Sequence, residues 1–189
     1  SYQPQTSFTT AFAKTLRDLF ASEGLLLFNP RSPGVAPLAQ PVFQRALDQA
    51  DKINDALSSR AKEIQALGLE EQVTVVERSP LFFVHDERPE GPRFRIQNES
   101  SGWHYIGKQQ KLSDPELREL VTAHPERLST SALLRPLLQD TLFPTAIYLG
   151  GPGEVAYLAQ MRVLYPVFDI DPPIVLPRPR FVLVEPKAQ

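Results

Sequence analysis

The chain of 189 residues contains no cysteine. That excludes disulfides, thiolate metal sites and a cysteine nucleophile, and it suits a reducing compartment, the cytoplasm. An excess of either charge is also missing. Twenty Lys and Arg stand against 22 Asp and Glu, a net charge of −2, so nothing predicts nucleic acid or an anionic membrane as a partner. No apolar run approaches the roughly 18 residues of a membrane-spanning helix, and the opening residues carry no signal-peptide pattern. The patterns G-x-S-x-G and H-E-x-x-H are absent, which removes α/β-hydrolase and zincin readings. His85, His104 and His124 fall in separate segments and read as surface residues, so no metal is expected. Glycine is scarce as well: the chain has nine, yet Gly150, Gly151 and Gly153 lie within four residues.

What is present describes one globular domain. A chain of this length buries roughly 70% of the surface its unfolded form exposes, enough for a core of its own. The 42% hydrophobic and 22% charged fractions are those of an ordinary soluble protein. Nineteen prolines, about twice the usual share, gather at element boundaries and indicate rigid connections.

Phe8, Phe12, Leu16, Leu19 and Phe20 have helical spacing, with Gly24 as the stop. "LLLF" (25–28) is apolar on both faces and predicts a strand inside a covered parallel sheet. Between Pro41 and Gly68, the residues Phe43, Leu47, Ala50, Ile53, Leu57, Ala61, Ile64 and Leu67 share a face and predict one long helix. It is expected to pack on the domain's own sheet, because Asn54 and the small Ala61 weaken a coiled-coil reading. "QVTVVE" (72–77) predicts another strand. The short β-prone runs of 81–107 predict an antiparallel meander at the edge of the main sheet. "SDPE" (113–116) is a capping box opening a helix to about Ala123. A further helix starts near Ser131, with Pro136 either in its first turn or at a kink. "FPTAIYLG" (143–150) reads as a strand, the following segment as a helix, and "PPIVLPR" and "RFVLVE" as two more strands. Helices and strands alternate, so the expected class is α/β, a largely parallel sheet flanked by helices with a small antiparallel β insertion at 81–107.

Gly150-Gly151-Pro152-Gly153-Glu154 lies between a predicted strand and helix, at the sheet edge where open α/β folds bind ligands. Unpaired amides at a helix start favour an anion, and glycines clear its approach. The same residues also suit a plain tight turn, and Pro152 removes one donor. Glu154 either complements the helix dipole or holds a polar substrate group. Tyr157 and Gln160 follow on the first turns of the same helix, and a core role for Tyr157 is equally open. Upstream, Arg135 and Gln139 share a helical face. An arginine among leucines must reach water, pair with Asp140 or Glu154, or grip a ligand's carboxylate or phosphate.

"HPERLSTSALLRPLLQDTLFPTAIYLGGPGEVAYLAQ" followed by "PPIVLPRPRFVLVE" closely resembles the cysteine-adding ligases of bacillithiol biosynthesis, and "TSFTTAFAKTLRDLFASEGLLLFNP" and "ALGLEEQVTV" resemble them in the same order. The resemblance implies a Rossmann-like core similar to nucleotidyltransferases of the class I tRNA synthetase type. It implies cytoplasmic enzymes that join L-cysteine to glucosaminyl malate, with ATP or ADP as a nucleotide and a coiled coil making a homodimer. It carries ligand-binding roles onto Arg135, Gln139, Asp140, Tyr148, Gly150, Gly151, Gly153, Glu154, Tyr157, Gln160 and Arg178, and assigns no catalytic residue. Members of that family are several hundred residues long. They carry a "TGQQ" type loop and an "EDHD" type stretch before the region matched here, and a coiled coil after it. The chain thus reads as the central piece of such an enzyme, monomeric and inactive alone, or alternatively as an isolated ligand-binding or structural module.

Overall fold

The computed structural model describes residues 3–87, 91–182 and 184. The chain forms two compact units, Ser1–Val35 and Ala36–Gln189.

In the first unit, α1 (Phe8–Phe20) starts where expected, because the Ser7 hydroxyl accepts from the Thr10 amide at 3.2 Å. Gly24 ends a following 3-10 turn with φ +70°, the left-handed value that favours glycine. Leu25–Phe28 is not a strand, contrary to expectation. No ladder partner lies beside it among the described residues, and Leu26 is 93% exposed. An apolar run becomes a strand only where backbone partners exist.

The second unit begins with α2 (Ala36–Asp48) and α3 (Ala50–Ala66). The single long helix predicted from Pro41 is therefore two helices that start earlier and bend at Gln49. The bend serves packing: α2 meets later helices with Phe43 and Leu47, while α3 buries Ile53, Leu57 and Ile64. Residues 72–77 form no strand. Their backbone bends at 72–73 and enters a turn at 77, and at Val73 it is held by a side chain instead, as described below.

The larger sheet has five antiparallel strands: β1 (Phe82–His85), β2 (Arg93–Glu99), β3 (Gly102–Tyr105), β4 (Lys111–Leu112) and β5 (Leu128–Thr130), in the order β4-β3-β2-β1-β5. The segment predicted as an edge decoration is thus the main sheet, and the largely parallel sheet is corrected accordingly. Two of the strands that would have built it, 25–28 and 72–77, do not form. Strand alternation sets the two faces. Phe82, Val84, Ile96 and Tyr105 enter the core, while Phe83, Arg93 and Arg95 lie on the opposite face. Helix α4 (Asp114–Ala123) covers this core and carries the predicted capping box, with the Ser113 amide donating to Glu116 Oε2 at 2.7 Å. The indole of Trp103 donates to Asp114 Oδ1 at 3.2 Å, and Arg118 links Asp114 to Asp48 on α2.

Helix α5 (Arg135–Leu142) has Pro136 in its first turn, one of the two placements it requires. Then β6 (Ile147–Gly150), α6 (Pro152–Met161), the short α7 (Tyr165–Phe168) and β7 (Ile174–Pro177) complete the unit. β6 and β7 pair in parallel, Ile147 with Ile174 and Gly150 with Pro177. This βαβ unit is the parallel part of the fold. The last predicted strand, "RFVLVE", has no strand among its described residues, and Leu183 and Glu185 lie outside them.

Candidate functional site

The strand-to-helix corner follows from local sequence. Gly151 is the N-cap of α6 with φ −68°, extended backbone open to any residue, so its missing side chain concerns space. A Cβ there would come within 2.8 Å of an Arg178 guanidinium nitrogen, and one at Gly150 within 3.2 Å of Val155. Arg178 is placed by the end of the β6–β7 ladder, where its amide donates to the Gly150 carbonyl at 2.8 Å. At Gly153 a Cβ would meet only Gln72, at 4.0 Å, so bareness there is not required.

The carboxylate of Glu154 turns back on this corner. Oε2 accepts from the Gly151 amide at 2.9 Å, the half of a capping box that a glycine N-cap allows, and lies 3.5 Å from Arg178. Oε1 accepts from the Tyr148 hydroxyl at 2.8 Å. The Gly151 amide, then Tyr148, with Arg178 and Arg135 adding, hold the Glu154 carboxyl below the usual range. Arg135 donates to the Tyr148 hydroxyl at 3.4 Å and to that of Tyr157. Burial first, then the contact with Tyr148, pushes the Tyr157 phenol up to about 12, so it is neutral and able to donate at neutral pH. Five expected residues from three elements and the following loop thus form one chain, Arg135–Tyr157, Tyr148, Glu154 and Arg178.

Asp140, also on α5, stands beside this chain. Its Oδ2 accepts from the Tyr165 hydroxyl at 2.6 Å, while its Oδ1 is buried with no hydrogen-bond partner among the described residues. Burial first, then the bond to Asp140, raises the Tyr165 phenol. Tyr165 was not singled out from sequence, and only its position after the glycine-led helix could have marked it. Gln139 makes no side-chain hydrogen bond among the described residues.

Gln160 lies elsewhere in role. Fully buried, it accepts from the Val73 amide at 3.1 Å and donates to the Val73 carbonyl at 2.7 Å and to Glu71 at 3.2 Å. Its amide takes the place of a neighbouring strand for the 72–77 segment. His85 is a second departure. It is buried, its Nδ1 donating to the Gly91 carbonyl and its Nε2 accepting from the Ser129 hydroxyl, each at 2.9 Å.

Among the described residues no three His, Asp or Glu side chains converge on a metal position, and no helix is long and apolar enough to cross a membrane. A nucleotide phosphate does not fit the glycine corner: the Gly151 amide is bonded to the chain's own carboxylate, and a phosphate would face that like charge.

The folded carboxyls of Glu154, Asp48 and Asp114 all lie below their ordinary values, the two aspartates chiefly through the Arg118 hydrogen bonds. The stability they lend is complete above about pH 5, where the unfolded carboxyls are already ionised, and is lost as pH falls through the unfolded and then the lower folded values. Melting temperature is expected to be level from pH 7 to about 5 and to drop steeply below about 4. A melt unchanged at pH 3 contradicts these contacts.

Comparison with known proteins shows the family. Residues 1–179 match the family model "Bacillithiol biosynthesis BshC, N-terminal Rossmann-like domain". Proteins named "Putative cysteine ligase BshC" are similar over nearly all of the chain. That of Koribacter versatilis is 39% identical over 189 residues, 100% of this chain and 35% of the relative. That of Chlorobaculum tepidum is 33% identical, over 98% of this chain and 32% of the relative. That of Bacillus licheniformis is 29% identical, over 95% and 33%. The chain therefore spans about a third of the length of the curated relatives it matches. With an α/β domain matched along 179 consecutive residues, the Gly150–Gln160 corner included, this chain belongs to the bacillithiol biosynthesis BshC family.

Proposed function

We propose that the chain supplies a substrate-holding wall in a ligase that joins L-cysteine to glucosaminyl malate. The observation that carries this reading is the pairing, on one helix, of a guanidinium held by two phenols with a buried carboxylate oxygen that has no donor. A buried acceptor without a partner costs about 1–3 kcal/mol, so it persists where a ligand completes it. Asp140 Oδ1 accepts from a substrate ammonium or hydroxyl. Arg135, steadied by Tyr148 and Tyr157, neutralises a substrate carboxylate. Glu154 fixes Tyr148 and Arg178, with Gly150 and Gly151 leaving them room and Gly153 in the same corner; Gln139, on the helix of Arg135, is carried as a ligand contact by family likeness. These residues bind and orient, and none is assigned the activation of the cysteine carboxyl. In the longer protein the setting is a cytoplasmic homodimer.

The test is Asp140→Asn in the relatives' full-length form. An amide turned toward the orphan position presents N–H where an acceptor is needed. Ligation efficiency is expected to fall on the order of ten- to a hundredfold while the melting temperature holds or rises, because a buried charge is removed. Full activity in that variant removes Asp140 from the pocket. A second reading, that the corner is purely structural, is favoured by the bond between Glu154 and the Gly151 amide, and it predicts full activity in the same variant.

A further inference from the structure

A separate cavity of about 250 Å³ opens between the irregular 73–79 segment, which turns at 77–78, and the β1–β5 edge of the larger sheet. None of its lining residues belongs to the Arg135 cluster. Its walls include Val75, Leu81 and Leu133, the last two fully or nearly buried. At one end stand Arg93 and Arg95, two residues apart on the same face of β2. Neither guanidinium has a carboxylate partner within 4.0 Å among the described residues; both lie over the Phe83 ring, at 4.7 and 5.7 Å from its centroid. Two like charges side by side on one strand are unfavourable in the empty protein, and an anion between them relieves that.

Two further observations point inward. Ser79 lines the cavity at 4% exposure, and its hydroxyl makes no hydrogen bond within the protein among the described residues. Leu81, also in the wall, has φ +61°, a left-handed conformation that a bulky non-glycine residue rarely takes. Such strain persists where surrounding structure enforces it, and it gathers at ligand sites.

We propose that this cavity binds a small amphipathic anion, a carboxylate or phosphate carried on a compact apolar group. The anion sits between Arg93 and Arg95, the Ser79 hydroxyl bonds a polar atom of the ligand, and Val75, Leu81 and Leu133 enclose the apolar part. The volume lies below the roughly 300 Å³ at which drug-sized pockets begin, so the ligand is smaller than a nucleotide.

Phenyl phosphate, benzoate and inorganic phosphate are the probes, titrated into the 189-residue chain by calorimetry, with backbone amide shifts recorded at Ser79, Leu81 and Thr130. At least one of the two aromatic anions is expected to bind saturably and to shift those amides; which one it is separates phosphate from carboxylate. Inorganic phosphate is expected to bind at least about tenfold more weakly. Arg93→Gln and Arg95→Gln, both on a solvent-facing sheet surface, should each weaken the aromatic anion by about tenfold, and Ser79→Ala by less. The site is overturned by no saturable binding of either aromatic anion, by binding that survives both arginine changes together, by shifts confined to other residues, or by inorganic phosphate binding as tightly as phenyl phosphate.

Discussion

Gln160→Leu is expected to destabilise the protein by about 3 kcal/mol, since it strips partners from two main-chain groups at once, each worth about 1–3 kcal/mol. For a chain of this size that is a fall of roughly 6 to 12 °C in melting temperature. Leucine nearly preserves the side chain's volume, so the effect isolates the hydrogen bonds from packing. The Val73 amide and carbonyl lose their partners together, because both are served by the one Gln160 amide group. Gln160→Glu sharpens the result. It keeps an acceptor for the Val73 amide, loses the donor to the Val73 carbonyl, and sets a second carboxylate against Glu71. It should be at least as harmful near pH 7 and should partly recover as the pH drops and the carboxyls are protonated. A ligand-binding glutamine would behave in the opposite way, sparing stability and impairing affinity. A melting temperature within about 1 °C of the parent for Gln160→Leu contradicts the structural role.

Arg135→Ala, in the relatives' full-length form, is expected to lower kcat/KM roughly a hundred- to a thousandfold. Arg135 is exposed in the ligand-free chain, and once a docked anion takes the pair out of water, truncating one member costs about 2–5 kcal/mol, each 1.36 kcal/mol being tenfold. The fold should tolerate the change, because Arg135 is bonded to two phenols and, among the described residues, to no carboxylate. Tyr148 keeps its bond to Glu154, so the corner stays closed when the guanidinium is gone. Lysine is a poor substitute, since a point charge cannot span both hydroxyls and a carboxylate as a planar fork does. The split matters. A loss carried in KM alone places Arg135 in ground-state binding, and an equal loss in kcat places its contact in the transition state. Turnover equal to the parent removes Arg135 from the pocket.

Much of the chain was legible where local chemistry decides structure. The capping box at Ser113, the position of Pro136 in a first turn and the Gly24 stop are each fixed by atoms a few residues apart. The βαβ passage from Ile147 to Pro177 was legible in its alternating strand, helix and strand patterns, although its strands pair residues 27 apart. The meander of 81–107 was read correctly as antiparallel, but its rank in the fold was not. Whether strands gather around it or around a parallel core depends on pairings that sequence pattern does not specify. The 72–77 segment alternates like a strand, yet its Val73 amide and carbonyl are bonded by Gln160, 87 residues away, and just beyond it the Arg78 amide donates to Asn54 at 3.0 Å across 24 residues. Side-chain amides on helices α3 and α6 do there what a neighbouring strand would have done. The long helix was misjudged because nothing at Gln49 breaks a helix by propensity. The bend answers tertiary packing.

For the candidate site the sequence supplied the residue types and the structure their division of labour. Arg135, Tyr157, Tyr148, Glu154 and Arg178 meet in one run of contacts, while Asp140 bonds to Tyr165 and Gln139, placed by spacing on the face of Arg135, makes no side-chain hydrogen bond among the described residues. The glycine-rich turn was expected to present bare amides to a ligand, and one of them instead binds the side chain three residues further on. Pattern alone could not separate these outcomes, because glutamate at that helix position suits both. The buried state of His85 escaped notice for a different reason: its enclosure comes from Ser129 and Gly91, which carry no mark in sequence.

The chain's one tryptophan, Trp103, is buried and hydrogen-bonded across the seam between β3 and α4. Indole emission is therefore a reporter of that seam. It will follow the parting of sheet from helix during denaturation, whereas a small molecule settling elsewhere alters it only by disturbing those two elements. A flat fluorescence titration is thus no sign that a compound failed to dock, and optical assays of either pocket call for a chromophore placed beside it.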